Sequence, residues 1–221
     1  MQPPDEGLVT RIYAASDEEA LPQALRALRN GQLVLFPTDT VYGLACDLWQ
    51  VEAVKRLYWA KQRPPSLPIP ILVAAPEHVM QVASELPVLF APLVERHWPG
   101  GLSLVVGRRA SVPDLLCAGR PTVAVRMPRH PLALRLIAEM GGAVAVTSAN
   151  LSGRQAAKTM EEALPGLSGR VAVALDAGPC PGGVASSIVD LTVDPPLLLR
   201  QGAVDIDSLQ RLLPTLIVPG Q

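Results

Sequence analysis

The chain has 221 residues and a net charge of −1; 49% of residues are apolar, 18% charged and only 4% aromatic. That balance builds a Leu, Val, Ile and Ala core in one large domain or two small ones, and excludes a nucleic-acid binder working by bulk charge, leaving only a local basic groove. The 23 prolines punctuate apolar runs, which predicts a rigid, loop-rich globule. Cys46, Cys117 and Cys180 are odd in number, widely spaced and without a CxxC pair, a pattern expected of free thiols in a reduced cytoplasmic compartment. The polar start MQPPDEG does not read as a signal peptide, and the absence of an apolar run of spanning length predicts a soluble protein with no membrane association.

Taken in order, LVTRIYA at 8–14 reads as a first strand. Ser16 and Glu19 form an S-x-x-E capping box for a helix with Leu21, Leu25 and Leu28 on one face, ended by Gly31. QLVLF at 32–36 is a buried strand stopped by Pro37. FPTDTVYGLACD at 36–47 then crowds Thr38, Asp39, Thr40 and Tyr42 ahead of Gly43. These side chains either orient a small polar ligand or cap the strand end as an Asx/ST turn. Val51, Val54, Leu57 and Tyr58 give a helix over 51–61 its inward face, and the prolines of KQRPPSLP predict an irregular loop over 61–68. A strand at 69–73, two short helical stretches within 76–98, strands at 102–107 and 122–126, a helix at 131–140 and a strand at 143–147 follow. Strands at 171–175, 186–192 and 196–202 and a helix at 207–213 complete the order. The prediction is a single α/β domain over 8–213 on a mixed sheet, with 1–7 and 214–221 as tails.

Several strands empty into polar loops marked by Gly or Pro, the places where α/β sheets bind ligands. Lys61 and Arg63 can grip phosphate or carboxylate oxygens, or be two solvated charges. Ser148 and Asn150 offer a hydroxyl and an amide directly after a buried strand, or form an N-cap or turn. Arg126, Ser186, Ser187 and Arg200 sit at strand boundaries. Phosphate-loop, dinucleotide, nucleophile-elbow and metal-spaced signatures are absent, and His78, His97 and His130 read as surface residues. Trp49, Trp59 and Trp98 read as packing anchors.

As an ordered set, PTDTVYGL, the K-x-R loop, TVAVRMP, TSANLSG, SSIVDLT and LLRQGAV resemble the YrdC-like threonylcarbamoyl-AMP synthases over nearly the whole chain. The resemblance implies a twisted mixed parallel/antiparallel sheet flanked by helices around a deep positive crevice. It also implies a nucleotidyltransferase that condenses L-threonine, bicarbonate and ATP, the first step toward N6-threonylcarbamoyladenosine in tRNA. By residue matching it places catalysis on Lys61, Arg63, Ser148 and Asn150, threonine on Thr40, Arg126, Ser148 and Ser186, and the nucleotide on Arg63, Thr122, Asn150 and Arg200. Leu67, Leu72 and Ala156 to Lys158 depart from the family pattern, and the extra C-terminal domain of the longer family form is not expected.

The chemistry asks for aligned partners and neutralised phosphate charge more than for proton transfer. Lys61 and Arg63 supply that charge, Mg²⁺ is expected with ATP, and Thr38, Thr40 and Ser186 offer hydroxyls to select threonine. tRNA or tRNA-modifying proteins are candidate partners. Two rival classes are an RNA-binding module without catalysis and a carbamoyltransferase-type domain. The second family adds zinc-finger Cys pairs that this sequence lacks.

Overall fold

Short β-branched and leucine-rich runs pair into one ten-stranded sheet in the computed structural model, which describes residues 8–220. The strands are β1 (Arg11–Ala14), β2 (Val34–Phe36), β3 (Gly43–Cys46), β4 (Ile71–Val73) and β5 (Leu102–Gly107). They continue with β6 (Thr122–Arg126), β7 (Ala143–Ser148), β8 (Val173–Asp176), β9 (Ser187–Asp190) and β10 (Leu197–Arg200). Their spatial order is β1-β8-β2-β3-β7-β4-β6-β5-β9-β10. The β1/β8, β2/β8, β4/β6 and β5/β9 pairs are parallel and the others antiparallel, so the sheet is mixed.

The helices are α1 (Ala20–Arg29), α2 (Val51–Lys61), α3 (Phe90–His97), α4 (Pro131–Glu139), α5 (Met160–Leu167) and α6 (Ile206–Leu212), with a short 3-10 helix at Pro76–Gln81. Two apolar layers result, because alternate residues of a strand face opposite sides. On one side α1 and α4 bury Leu21, Leu25, Leu28, Leu136 and Ile137 against Val34, Phe36, Leu72, Val144 and Val146. On the other, Leu57 and Tyr58 of α2, Phe90 and Leu93 of α3 and Leu209 of α6 pack with Leu44, Leu104, Val106, Val123, Val125 and Val189. The α1/α4 layer reaches strands β8 to β4 and stops. The same face of β6, β5 and β9, carried by Ser103, Val105, Thr122, Ala124, Arg126 and Ile188, lines an open cavity instead. That uncovered half-face is what positions the site.

Several expectations need correction. The Ser16/Glu19 capping box does not form: the Asp17 Oδ1 accepts the Glu19 N–H at 2.9 Å, a shorter reach that competes with it, and α1 begins at Ala20. GLAC, the end of the FPTDTVYGLACD stretch and not expected as a strand, is strand β3, held between β2 and β7. Val51 is 44% exposed at the start of α2, whose buried stripe is Ala53, Val54, Leu57, Tyr58, Ala60 and Lys61. The end of α2 at Lys61 is as expected, because the left-handed turn falls at Gln62 (φ 51°), ahead of the prolines. Helix α5, with Pro165 inside it, has no counterpart among the expected elements; the Thr159 side chain caps it, accepting the Glu162 N–H, while Met160, Ala163 and Leu167 are buried.

Residues after 213 are no tail. The backbones of Leu198 and Ile217 pair at 2.9 Å, and Leu216 enters the core, because Pro214 turns the chain back onto the β10 edge. The segment 1–7 lies outside the described residues. The three histidines are half-buried, not surface residues. His78 Nδ1, His97 Nε2 and His130 Nδ1 are buried and have no partner among the described residues. Trp98 anchors as expected, donating to the Leu102 carbonyl at 2.8 Å and meeting Phe90 edge to face, but Trp49 is 44% exposed.

Candidate active site

The loop between β2 and β3 is organised by its own threonines. Thr38 Oγ1 donates to the Val41 carbonyl at 2.6 Å and accepts the Thr40 and Val41 N–H groups at 3.1 and 3.3 Å, the ST turn that the residue types offered. Gly43 follows because a Cβ there would meet Val146 at 2.9 Å and the Phe36 ring at 3.3 Å. The Tyr42 hydroxyl, 3.1 Å from Asp176 Oδ1 and 2.8 Å from the Gly178 carbonyl, faces away from ligand duty; burial pushes its pKa up.

Arg126, at the end of β6, enters from the sheet and is 6% exposed. Its Nε donates to the Gly100 carbonyl at 2.8 Å, its Nη1 to Thr40 Oγ1 at 3.0 Å and its Nη2 to Asp39 Oδ1 at 2.5 Å. Asp39 also accepts the Arg129 N–H at 3.0 Å, so one carboxylate joins the turn to the next loop. Gly182 donates to the Asp39 carbonyl at 3.0 Å; a Cβ there would lie 2.5 Å from that oxygen, so only glycine permits the approach. At the end of β10, Arg200 Nε donates to the Ser186 carbonyl at 2.9 Å and Nη2 to Ser186 Oγ at 3.1 Å. Ser186 Oγ lies 2.9 Å from Ser103 Oγ. Ser187 is a backbone pin, donating to the Val204 carbonyl at 2.9 Å and accepting the Gly202 and Val204 N–H groups at 3.0 Å.

Lys61 is the unexpected member. It is 1% exposed, and its Nζ donates to the Ser148 carbonyl, to the Asn150 carbonyl at 2.7 Å and toward Asn150 Oδ1 at 3.4 Å. The Lys61 carbonyl in turn accepts the Ser152 N–H at 2.8 Å. Burial first, and then the Arg63 charge, draw its pKa down to about 7, while the three oxygens around Nζ match the three N–H groups of an ammonium and work against that fall. Asn150 gives its amide to the Leu151 and Arg154 carbonyls, both at 2.8 Å. Lys61 and Asn150 thus build the turn that carries Ser148.

The cavity has a volume of about 490 Å³, within the range of small-molecule sites. Its lining includes Thr38, Thr40, Arg63, Thr122, Arg126, Ser148, Ser186 and Arg200; Lys61 and Asn150 stand behind it. Sequence reasoning missed Ser103, Arg120 and Asp190, which also line it. Ser103 carried a signal, being the one hydroxyl in the apolar strand LSLVVG; Arg120 and Asp190 carried none. Four arginines face one carboxylate among the lining residues. Burial lowers the pKa of Arg63, Arg126 and Arg200, and the Arg126 and Arg63 charges lower that of Arg200 further; all stay cationic. Such a cluster is relieved by a multiply charged anion. Arg63, anchored by Nε to the Leu67 carbonyl at 3.1 Å and by Nη2 to the Pro68 carbonyl at 2.9 Å, keeps Nη1 without a partner among the described residues. Arg63→Ala is expected to weaken the binding of a phosphate-bearing ligand by roughly tenfold or more, for a charge-assisted contact of about 1.5–3 kcal/mol. Unchanged affinity in a titration with a polyphosphate would remove Arg63 from the anion-contacting groups.

Fold and site together define an α/β protein with a cavity lined by four arginines and several hydroxyls. The chain belongs to the Sua5/YciO/YrdC family, whose model, described as telomere recombination, matches residues 26–202. It is 38% identical over 206 residues to the threonylcarbamoyl-AMP synthase of Pyrococcus abyssi, spanning 93% of this chain and 61% of that protein. It is 37% identical to the synthase of Bacillus subtilis, spanning 90% of this chain and 58% of that protein. A putative threonylcarbamoyl-AMP synthase of Mycobacterium tuberculosis is 38% identical over 93% of this chain and 96% of its own length. The chain therefore spans about three fifths of the length of the archaeal and Bacillus relatives. Among solved structures, P. abyssi Sua5 complexed with L-threonine superposes with a TM-score of 0.92 at 35% identity, covering 95% of this chain and 62% of that one. E. coli YciO shares the fold with a TM-score of 0.80 at 22% identity, covering 89% and 98%.

Proposed function

We propose that this chain is a nucleotidyltransferase that forms L-threonylcarbamoyladenylate from L-threonine, bicarbonate and ATP. The observation that carries the reading is the convergence of Arg63, Arg126 and Arg200 with the hydroxyls of Thr40, Ser148 and Ser186 on one cavity, in a chain similar to proteins named for that product. The threonine nitrogen bonds to the bicarbonate carbon with loss of water, giving a carbamate. A carbamate oxygen then bonds to the α-phosphorus as the bond to the bridging oxygen breaks and pyrophosphate leaves. Neither step needs a strong protein base; both need alignment and charge neutralisation.

Arg126, Thr38, Thr40, Ser148 and Ser186 hold threonine; Arg63, Thr122 and Arg200 hold the nucleotide. Lys61 and Asn150 hold the turn that presents Ser148. The lining fits magnesium carried by the nucleotide's own phosphates better than an ion caged by protein, since Asp190 is its one carboxylate among the described residues and its Oδ1 accepts the Thr192 N–H and hydroxyl. Bound that way, the ion would neutralise phosphate charge. The product would supply N6-threonylcarbamoyladenosine formation in tRNA, which makes tRNA-modifying proteins the partners to seek. Three buried free cysteines suit a cytoplasmic location, and no helix among the described residues is long and apolar enough to cross a membrane.

Incubated with ATP, threonine and bicarbonate, the protein is expected to yield the adenylate by mass spectrometry together with pyrophosphate; no product with any amino acid would overturn the reading. Threonine is expected to exceed valine in kcat/KM by at least roughly tenfold, because valine leaves a buried polar group unpaired at about 1–3 kcal/mol. Serine should fall behind threonine by a smaller factor. Equal turnover of valine would show that no hydroxyl in the cavity reads the side chain.

A further inference from the structure

Hydroxyl protons can be counted at the end of the cavity floored by Arg126 and Arg200. The Thr38 proton lies on the Val41 carbonyl, 2.6 Å away. With the Thr38 proton so placed, the 3.0 Å contact between Thr40 Oγ1 and Thr38 Oγ1 takes the Thr40 proton, while Thr40 Oγ1 accepts from Arg126 Nη1 at 3.0 Å. Both threonine protons are therefore spent inside the turn. The serine pair differs. Ser186 Oγ accepts from Arg200 Nη2 at 3.1 Å and lies 2.9 Å from Ser103 Oγ. Two hydroxyls carry two protons and one contact between them uses one. The second has no acceptor among the described residues, although Ser103 is 2% and Ser186 6% exposed. A buried donor without an acceptor is costly, and the cavity is the direction left open to it.

The placement is specific. Ser103 pairs with Ile188 of β9, while Leu104 pairs with Val125 of β6, so Ser103 sits beside Arg126 on the cavity face. Val105 and Ala124 continue that face as an apolar floor. A ligand anchored at Arg126 by a carboxylate would set its side chain next to one free O–H, several oxygen lone pairs and an apolar surface.

We propose that Ser103 is a specificity-determining residue, which shares with Ser186 the one unspent hydroxyl proton of this corner and reads the side-chain hydroxyl of a β-hydroxy amino acid. The inference rests on the adenylate-forming reading and deepens it, shifting side-chain recognition from the Thr38/Thr40 turn to the serine pair. A serine pair that instead bound the amino acid's carboxylate would affect all amino acids alike, which makes the two roles separable.

The test measures kcat/KM for threonine and valine, and the direct titration of both in the absence of ATP, in the unmodified protein, Ser103→Ala and Ser103→Cys. Because Ser186 keeps its own proton when the Ser103 hydroxyl is removed, Ser103→Ala is expected to lower the threonine-over-valine ratio by roughly threefold or more in both assays, through the lost hold on the Ser186 hydroxyl and the lost lone pairs, with the ATP KM and the melting temperature little changed. Ser103→Cys, a weaker donor of similar shape, should fall between. A parallel loss for threonine and valine, or an unchanged ratio in either variant, would overturn the assignment. If the unmodified protein binds threonine but forms no adenylate, the reaction reading fails while titration still decides this one. If it binds no threonine, both fall.

Discussion

Lys61→Met is expected to cost about 2–3 kcal/mol of stability in urea, through the Asn150 carbonyl left without its donor, the Ser148 carbonyl left with the Asn150 N–H alone, and imperfect repacking. It is also expected to lower kcat by roughly a hundredfold or more, because displacing the Ser148 turn by about 1 Å misaligns the reacting groups. Lys61 is a positioning residue here: it holds the Ser148 and Asn150 backbone and does not line the cavity. The pH dependence carries a second signature. With its pKa drawn from the ordinary 10.5 down to about 7, the folded chain binds fewer protons at this site than the unfolded chain above pH 7. Stability should therefore rise from about pH 7 until the thiols begin to ionise near pH 8.5, and this contribution should vanish in Lys61→Met. Full stability and activity in that variant would refute the clamp, and a pH slope identical in both proteins would refute its depressed pKa.

Arg126→Met should be comparably damaging. The Arg126–Asp39 pair is 2.5 Å long with side chains 7% and 13% exposed, so removing the cation strands a nearly buried carboxylate at a cost of about 3–5 kcal/mol. Asp39→Asn in the same chain should recover part of that stability without recovering threonine binding, since the loss of binding comes from the missing guanidinium. Urea midpoints and threonine titration of both single variants and the double variant separate the effects. Threonine affinity retained in the double variant would show that Arg126 serves the fold alone.

The two predictions bear unequally on what the sequence disclosed. Arg126 was legible because TVAVR alternates strictly and ends in a cation, which places an arginine at a strand end facing a loop. Lys61 was legible as a charge but not as a clamp. Its place beyond Val54, Leu57 and Tyr58 puts it on the buried stripe of α2, but the carbonyls its Nζ meets lie 87 and 89 residues away in the chain, beyond the reach of any local rule. The Thr38 turn was one of two readings open in PTDTVYG, and the hydrogen bonds show the turn within a loop that still lines the cavity.

Local composition and period determined the mixed α/β class, most strand and helix positions, and the polar strand-end loops that hold the candidate residues. Those features follow from side-chain alternation, from prolines that cannot donate, and from glycines that admit close approach. Tertiary structure alone decided that the α1/α4 layer stops short of β6, β5 and β9, leaving a cavity where a core face would otherwise lie. It also decided strand β3, which depends on β2 and β7 for its partners, and the inward return of Leu216. The proton count joining Ser103 to Ser186 spans 83 residues of chain. No local rule reaches that far, because such pairing is set by which strands lie side by side.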